Sequence, residues 1–312
     1  MVDLLERIRG SGAYPLPPTS SESEARSRFH DFFMQLVGGT NSFDWLARVD
    51  DTTIRGRGSN LKARIYTPIG TGPFPVMIHF HGGGWSRGDL DIWDGFCAQI
   101  AIKSLSLVVS VDYRLSPEHR FPDALNDAYD SIVWAAQNAH SLDGDAERLG
   151  VIGDSAGGNL AAAASLMARD RQGFPKLSLQ ILIYPSLAYT FNTRSYLANS
   201  DSFFLTRERS IANWNRYLRS PLDARNPYAC PSEAESLKGL PRAMVVTAEY
   251  DPLRDEGESY ARRLASDGVK VSYKCYPGMI HPFVLLAPFI DEGRKAIDDI
   301  ANEIREAFVL KE

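Results

Sequence analysis

Leu149-Gly150-Val151-Ile152-Gly153-Asp154-Ser155-Ala156-Gly157-Gly158-Asn159 is the stretch on which the reading of this chain turns. Its first four residues form a short apolar run of the kind that becomes a buried strand. From Asn159 to Ala168 the sequence is alanine-rich and favours helix. Between them, Gly153-Asp154-Ser155-Ala156-Gly157 has the form G-x-S-x-G. In a sharp strand-to-helix turn this spacing lifts a serine hydroxyl out of the fold, and the glycines keep the turn free of clashes. With glycine at about 7 % of residues, chance alone supplies such a pentapeptide in roughly one chain of this length in ten, so the flanking strand and helix carry the inference. The helix N-terminus beneath Ser155 then favours a developing anion.

A serine becomes a nucleophile only when a base takes its proton and a third group orients that base. In the strand–elbow–helix arrangement the partners follow in the order Ser, Asp or Glu, His. His281 is the only histidine C-terminal to the pentapeptide. It comes after Pro277-Gly278 and before Pro282-Phe283, on a loop at a strand's C-terminal end. For the acid, Asp251 comes directly after the predicted strand 243–248 and before Pro252, which puts it at the sheet edge where ligand sites form. Glu249 and Asp255 remain its rivals on spacing. His81-Gly82-Gly83-Gly84-Trp85 follows the predicted strand Val76–Phe80. Successive glycines let backbone N–H groups approach a reacting carbonyl, so the N–H groups of Gly83, Gly84 and Ala156 are the expected oxyanion donors.

Outward from these motifs the chain alternates strands and helices. Lys62–Tyr66, Leu105–Val111, Leu179–Tyr184, Ala243–Ala248 and Val269–Tyr276 read as strands, with a helix after Pro122 and another over Arg294–Leu310. This predicts an α/β fold with a mostly parallel central sheet flanked by helices. Residues 1 to about 50 read as helical and then irregular, with Tyr14-Pro15-Leu16-Pro17-Pro18 as a stiff linker. The stretch from about 187 to 225, rich in aromatics and arginine, reads as an inserted helical cap. The 312 residues are 44 % hydrophobic with a net charge of −5, a balance that offers no footprint for nucleic acid. The N-terminus lacks a signal-peptide pattern, and no apolar run approaches bilayer length. Cys97, Cys230 and Cys275 are odd in number and widely spaced, as reduced thiols of a cytoplasmic protein would be. His79 and His81 share a strand face but have no further ligand at metal spacing, so no metal and no cofactor is expected.

Taken together, the motifs resemble the hormone-sensitive-lipase-like branch of the α/β-hydrolases, the bacterial family IV carboxylesterases. The residues that carry the resemblance are His81–Trp85, Asp112-Tyr113-Arg114-Leu115-Ser116-Pro117-Glu118-His119, Gly153–Asn159, Tyr250-Asp251-Pro252-Leu253-Arg254-Asp255-Glu256-Gly257 and His281-Pro282-Phe283. The resemblance implies Ser155, Asp251 and His281 as a catalytic triad and selects Asp251 over its rivals. It implies an α/β-hydrolase fold, with residues 1–50 as one part of a cap, 51–312 as the catalytic domain and the second cap segment inserted at about 187–225. It also implies a serine carboxylesterase acting on short-to-medium acyl esters, with a small-molecule ester as partner and no membrane insertion. Relatives often form homodimers through the sheet edge. Trp85, Tyr184, Phe203, Leu205, Ile211, Trp214 and Phe283 are the candidate pocket walls. The chain departs from many relatives at Ser186-Leu187-Ala188, where they carry an aspartate that anchors the cap. An amidase or deacetylase would use the same triad, and a ligand-binding receptor on this scaffold would have lost His281.

Overall fold

A computed structural model describes residues 1–11, 14, 20–38 and 43–308. Eight strands form one sheet in the order β1-β2-β4-β3-β5-β6-β7-β8. They span Leu46–Arg55 (β1), Asn60–Pro68 (β2), Phe74–Phe80 (β3), Leu107–Asp112 (β4), Gly144–Asp154 (β5), Leu177–Ile183 (β6), Arg242–Tyr250 (β7) and Val271–Ile280 (β8). β1 and β2 pair antiparallel, as do β2 and β4; every other pairing is parallel.

Helices cover both faces, so the central strands are apolar on both sides. Val76, Ile78 and Phe80 of β3 face one core, with α4 (Asp123–Asn138), α5 (Ala156–Asp170) and α8 (Arg254–Ser266). Met77 faces the other, with α3 (Leu90–Ser104) and α9 (Asp291–Phe308). Two N-terminal helices, α1 (Val2–Gly10) and α2 (Glu22–Val37), join the second core through Leu4, Ile8, Phe32 and Phe33. Between β6 and β7 lie α6 (Arg194–Ala198) and α7 (Arg207–Tyr217).

Two elements differ from the sequence expectation. β1 begins at Leu46, inside the stretch read as helical and irregular; its residues LARVDDTTIR are mostly exposed because it is an edge strand, so no apolar run announces it. α3 is buried on ten of its fifteen residues and therefore lacks a one-sided stripe; its clearest signal is Asp89, whose carboxylate accepts the Ile92 N–H at 3.1 Å. The linker residues Pro15–Pro18 and the helix end at Val309 and Leu310 lie outside the described residues. No described helix is long and apolar enough to cross a membrane.

The register brings the C-terminal ends of β3, β5, β7 and β8 to one rim. Phe80 pairs with Gly153, and Tyr250 with Ile280, so the segments beginning at His81, Ser155, Asp251 and His281 leave the sheet together. The chain progresses to one side from β3 to β4 and to the other from β5 onward, and the crevice at such a switch point is where ligands bind in open α/β sheets. Tight packing holds the crossing. A Cβ on Gly157 would lie 1.9 Å from the Phe80 carbonyl oxygen, and one on Gly153 2.3 Å from the Gly157 carbonyl oxygen. Gly157→Ala is therefore expected to destabilise the protein by about 3 kcal/mol or more in urea unfolding. Gly10→Ala, with open space around the new methyl, stays near wild type. Equal stabilities for the two variants would contradict this packing.

Candidate active site

Ser155 stands alone between β5 and α5, at φ 56° and ψ −116°. This is a strained conformation for a residue with a Cβ. Backbone bonds on both sides enforce it. Its N–H donates to the Ile183 carbonyl at 2.8 Å, and its carbonyl accepts from Asn159 at 3.1 Å and Ser186 at 3.2 Å. The Asn159 side-chain amide donates to the Ser186 and Ala229 carbonyls, both at 2.9 Å, tying the elbow helix to the segment between β6 and β7.

Asp251 directly follows β7 and is fully buried. One carboxylate oxygen lies 2.9 Å from His281 Nδ1; the other accepts the Leu253 N–H at 2.8 Å. An imidazole held this way carries its proton on Nδ1 and leaves Nε2 as the free base. The Tyr184 ring packs edge-on against His281 at 4.6 Å, and its phenol oxygen takes the backbone N–H groups of Val284 and Leu285, which secures the loop that carries the histidine. The rival acids are engaged elsewhere. Glu249 accepts the Gly278 N–H at 2.7 Å, while Asp255 accepts the Ser195 N–H at 2.8 Å and pairs with Arg254.

The glycine loop has Gly83 at φ +112° and Gly84 at φ +62°. His81 Nδ1 donates to the Gly82 carbonyl at 2.7 Å, and its ring stacks on Tyr113 at 4.3 Å. The Tyr113 hydroxyl donates to the His81 carbonyl at 2.8 Å. At the loop's far end the Trp85 carbonyl accepts from Ser116, and the Trp85 ring stacks on Tyr217 at 4.3 Å. His79 Nδ1 contacts the Ser110 hydroxyl at 2.9 Å and Cys97 Sγ at 3.3 Å. Beyond the loop, Arg114 engages Asp127 at 2.7 Å and Asp123 at 3.6 Å, His119 meets the same Asp123 carboxylate at 3.3 Å, and Glu118 pairs with Arg26.

Ser155, His281, Gly83 and Gly84 line one cavity of about 320 Å³. Its outer wall comes from α2 (Phe29, Phe32, Phe33) and from Phe204, Leu205 and α7. Of the candidate pocket residues, Leu205 lines this cavity. Trp85 and Trp214, with Leu205 and Ala156, line a small recess beside Ser155. Tyr184 and Phe283 are buried behind His281, their ring centroids 5.8 Å apart. Phe203 stacks on Tyr14 at 4.7 Å and borders a shallow groove beside α1. Ile211 sits on α7 and lines neither the cavity nor the recess. Sequence reasoning passed over Asn213, Arg87, Arg209 and Arg216, because nothing in a single chain separates a polar side chain aimed into a cavity from one on the surface. At the Ser186–Ala188 departure, buried Glu256 accepts the Leu187 and Ala188 N–H groups, the latter at 2.9 Å, and so anchors the segment from α8.

Comparison with known proteins agrees with this architecture. Residues 77–285 match the family described as the alpha/beta hydrolase fold. The chain is 42 % identical over 243 residues to the carboxylic ester hydrolase LipN of Mycobacterium tuberculosis, covering 76 % of this chain and 65 % of LipN, just under two thirds of that relative. It is 31 % identical to an ethyl acetate hydrolase of Pseudomonas putida, across 98 % of this chain and 96 % of that one. Among solved structures, the hyperthermophilic esterase from the archaeon Pyrobaculum calidifontis superposes with a TM-score of 0.88 at 41 % identity, covering 93 % of this chain and 95 % of that one. The chain belongs to the α/β-hydrolase fold family, in its hormone-sensitive-lipase-like branch, and is a carboxylic ester hydrolase.

Asp154, beside the nucleophile candidate, joins the elbow to the glycine loop by accepting the Gly82 N–H at 2.8 Å. Burial pushes its carboxyl up to about 7, with His281, the Gly82 N–H and the Trp93 indole pulling the other way. The native carboxyl thus keeps its proton to higher pH than the unfolded one. Its contribution to stability is complete below about pH 4 and is lost as pH rises towards 7. Asp154→Asn has no such titration. The stability difference between the two proteins is expected to shift in the variant's favour from pH 4 to pH 7 and then level off, as read by urea unfolding; a difference independent of pH would contradict the raised carboxyl.

Proposed function

We propose that the protein hydrolyses short-to-medium acyl esters through an acyl-enzyme on Ser155. His281 Nε2 takes the hydroxyl proton as Ser155 attacks the carbonyl carbon, and then returns it to the leaving alkoxide, which departs as the alcohol. Asp251 holds the imidazole in the tautomer this requires and stabilises the imidazolium that forms. Water then attacks the acyl carbon with His281 again as base, releasing the carboxylic acid and restoring the serine. The N–H groups of Gly83, Gly84 and Ala156 are the donors for the tetrahedral oxyanion, and removing one such donor costs about a hundredfold or more in kcat. The carrying observation is the 2.9 Å contact between His281 and buried Asp251, with His281 and strained Ser155 on one cavity wall.

In this reading α1, α2 and the segment from about 187 to 225 form a cap over the crevice, supported by the cavity wall that α2 and α7 supply. A cavity of about 320 Å³ lined by Phe29, Phe32, Phe33, Phe204 and Leu205 suits acyl chains of modest length. Hydrolysis of p-nitrophenyl esters from acetate to palmitate is expected to be fastest on the shorter members. Ser155→Ala should lose at least about a thousandfold in kcat while keeping the wild-type unfolding midpoint. Equal rates for the two proteins would falsify the assignment, and a maximum at palmitate would contradict the proposed chain length.

A further inference from the structure

Four arginines, Arg28, Arg87, Arg209 and Arg216, line the cavity that contains Ser155 and His281. Arg28 pairs with Glu24, and Arg216 with Glu22 at 3.0 Å. Arg209 has no carboxylate partner among the described residues; it donates to the Phe204 carbonyl at 2.9 Å and to the Tyr14 hydroxyl, and lies 5.1 Å over the Tyr14 ring. Arg87 meets less still. It lies three residues past Gly84, its Nε is buried with no acceptor, and its guanidinium forms no ion pair among the described residues. Burial, with Arg216 and Arg209 nearby, holds its pKa below the ordinary arginine value despite Glu22.

This is unlike the treatment of comparable arginines elsewhere in the molecule. Arg64 engages Asp51 and Asp94, Arg114 engages Asp127, and Arg242 engages Glu303. Leaving guanidinium donors unmet away from bulk water costs free energy, and a site that holds them so is poised for an acceptor from outside the chain. The positive wall is also no reflection of overall charge, since the chain carries −5. Among the described residues Asp154 is the single acid lining the cavity, and it is occupied by the Gly82 N–H and the Trp93 indole.

We infer that the cavity receives an anionic group of the substrate, so that the enzyme favours esters bearing a carboxylate that Arg87 and Arg209 bind. A guanidinium offers a planar fork of donors matched to a carboxylate, and such charge-assisted bonds are stronger than neutral ones. The inference rests on the esterase reading above and narrows its substrate class. The carboxylate can belong to the acyl half, as in the monoester of a dicarboxylic acid, or to the alcohol half, as in the acyl ester of a hydroxy acid.

Two pairs of esters separate these sources: monoethyl adipate against ethyl 5-carbamoylpentanoate, and 4-acetoxybenzoate against 4-acetoxybenzamide. In each pair an amide replaces the carboxylate without changing the scissile ester. For the wild type, kcat/KM is expected to favour the carboxylate by at least about tenfold in one pair, which then identifies the half recognised. The ratio should fall towards one in Arg87→Gln and in Arg209→Gln, and shrink with added salt. Because each ratio is taken within one protein, a general loss of activity or of folded enzyme cancels. A wild-type ratio of one or less in both pairs overturns the inference, as does an unchanged ratio in both variants. Turnover of the neutral esters that is lost in Ser155→Ala leaves the esterase reading standing in that event. No turnover of any ester by the wild type removes both.

Discussion

The reversal of β5 into α5 within one residue is the constraint on which the site depends. Ser155 is held at a positive φ by bonds from its backbone to Ile183, Asn159 and Ser186, and the reversal is only as tight as the glycines around it permit. Gly153 and Gly157 face each other and the end of β3 with no room for a methyl group. That close approach sets β5 beside β3, so that the glycine loop leaving β3 runs alongside the serine leaving β5. The same parallel register carries Asp251 and His281 to this rim from β7 and β8. Strain at one residue is thereby offset by packing across the sheet, as expected where geometry is held for chemistry.

Around this rim the groups that carry the site are held by paired polar contacts. Asp251 gives its two oxygens to His281 and to the Leu253 N–H, Tyr184 fixes the loop behind the imidazole, and His81 with Tyr113 fixes the glycine loop. Buried polar groups satisfied in this way rigidify a site, since any alternative arrangement leaves one of them unpaired. Arg87 is not held in this way: in the cavity wall its Nε is buried without an acceptor and its guanidinium forms no ion pair among the described residues.

Much of this was legible in the chain itself. The strands through the sheet's centre are apolar on both faces and announced themselves as runs, and the elbow and glycine loop follow from residue types that few other turns require. β1 was not legible, because an exposed edge strand needs no apolar pattern. Neither was α3, because a helix buried nearly all round shows no stripe. The pocket was least legible. Trp85 and Trp214 are large and aromatic, yet they pack against Tyr217 and each other beside a small recess, while the cavity wall is drawn from α2 and from arginines whose direction depends on tertiary packing. Aromatic content predicts burial well, but it does not distinguish a wall from a core.

The central claim is that Ser155 forms the covalent bond to the acyl group, and covalent labelling tests it most directly. A p-nitrophenyl alkylphosphonate presents the serine with a tetrahedral phosphorus that resembles the oxyanion intermediate. Intact-mass measurement should show one phosphonyl group added per chain, released p-nitrophenol in equal amount, and peptide mapping that places the label on Ser155. Labelling of another residue, or no labelling while ester hydrolysis continues undiminished, would contradict the account.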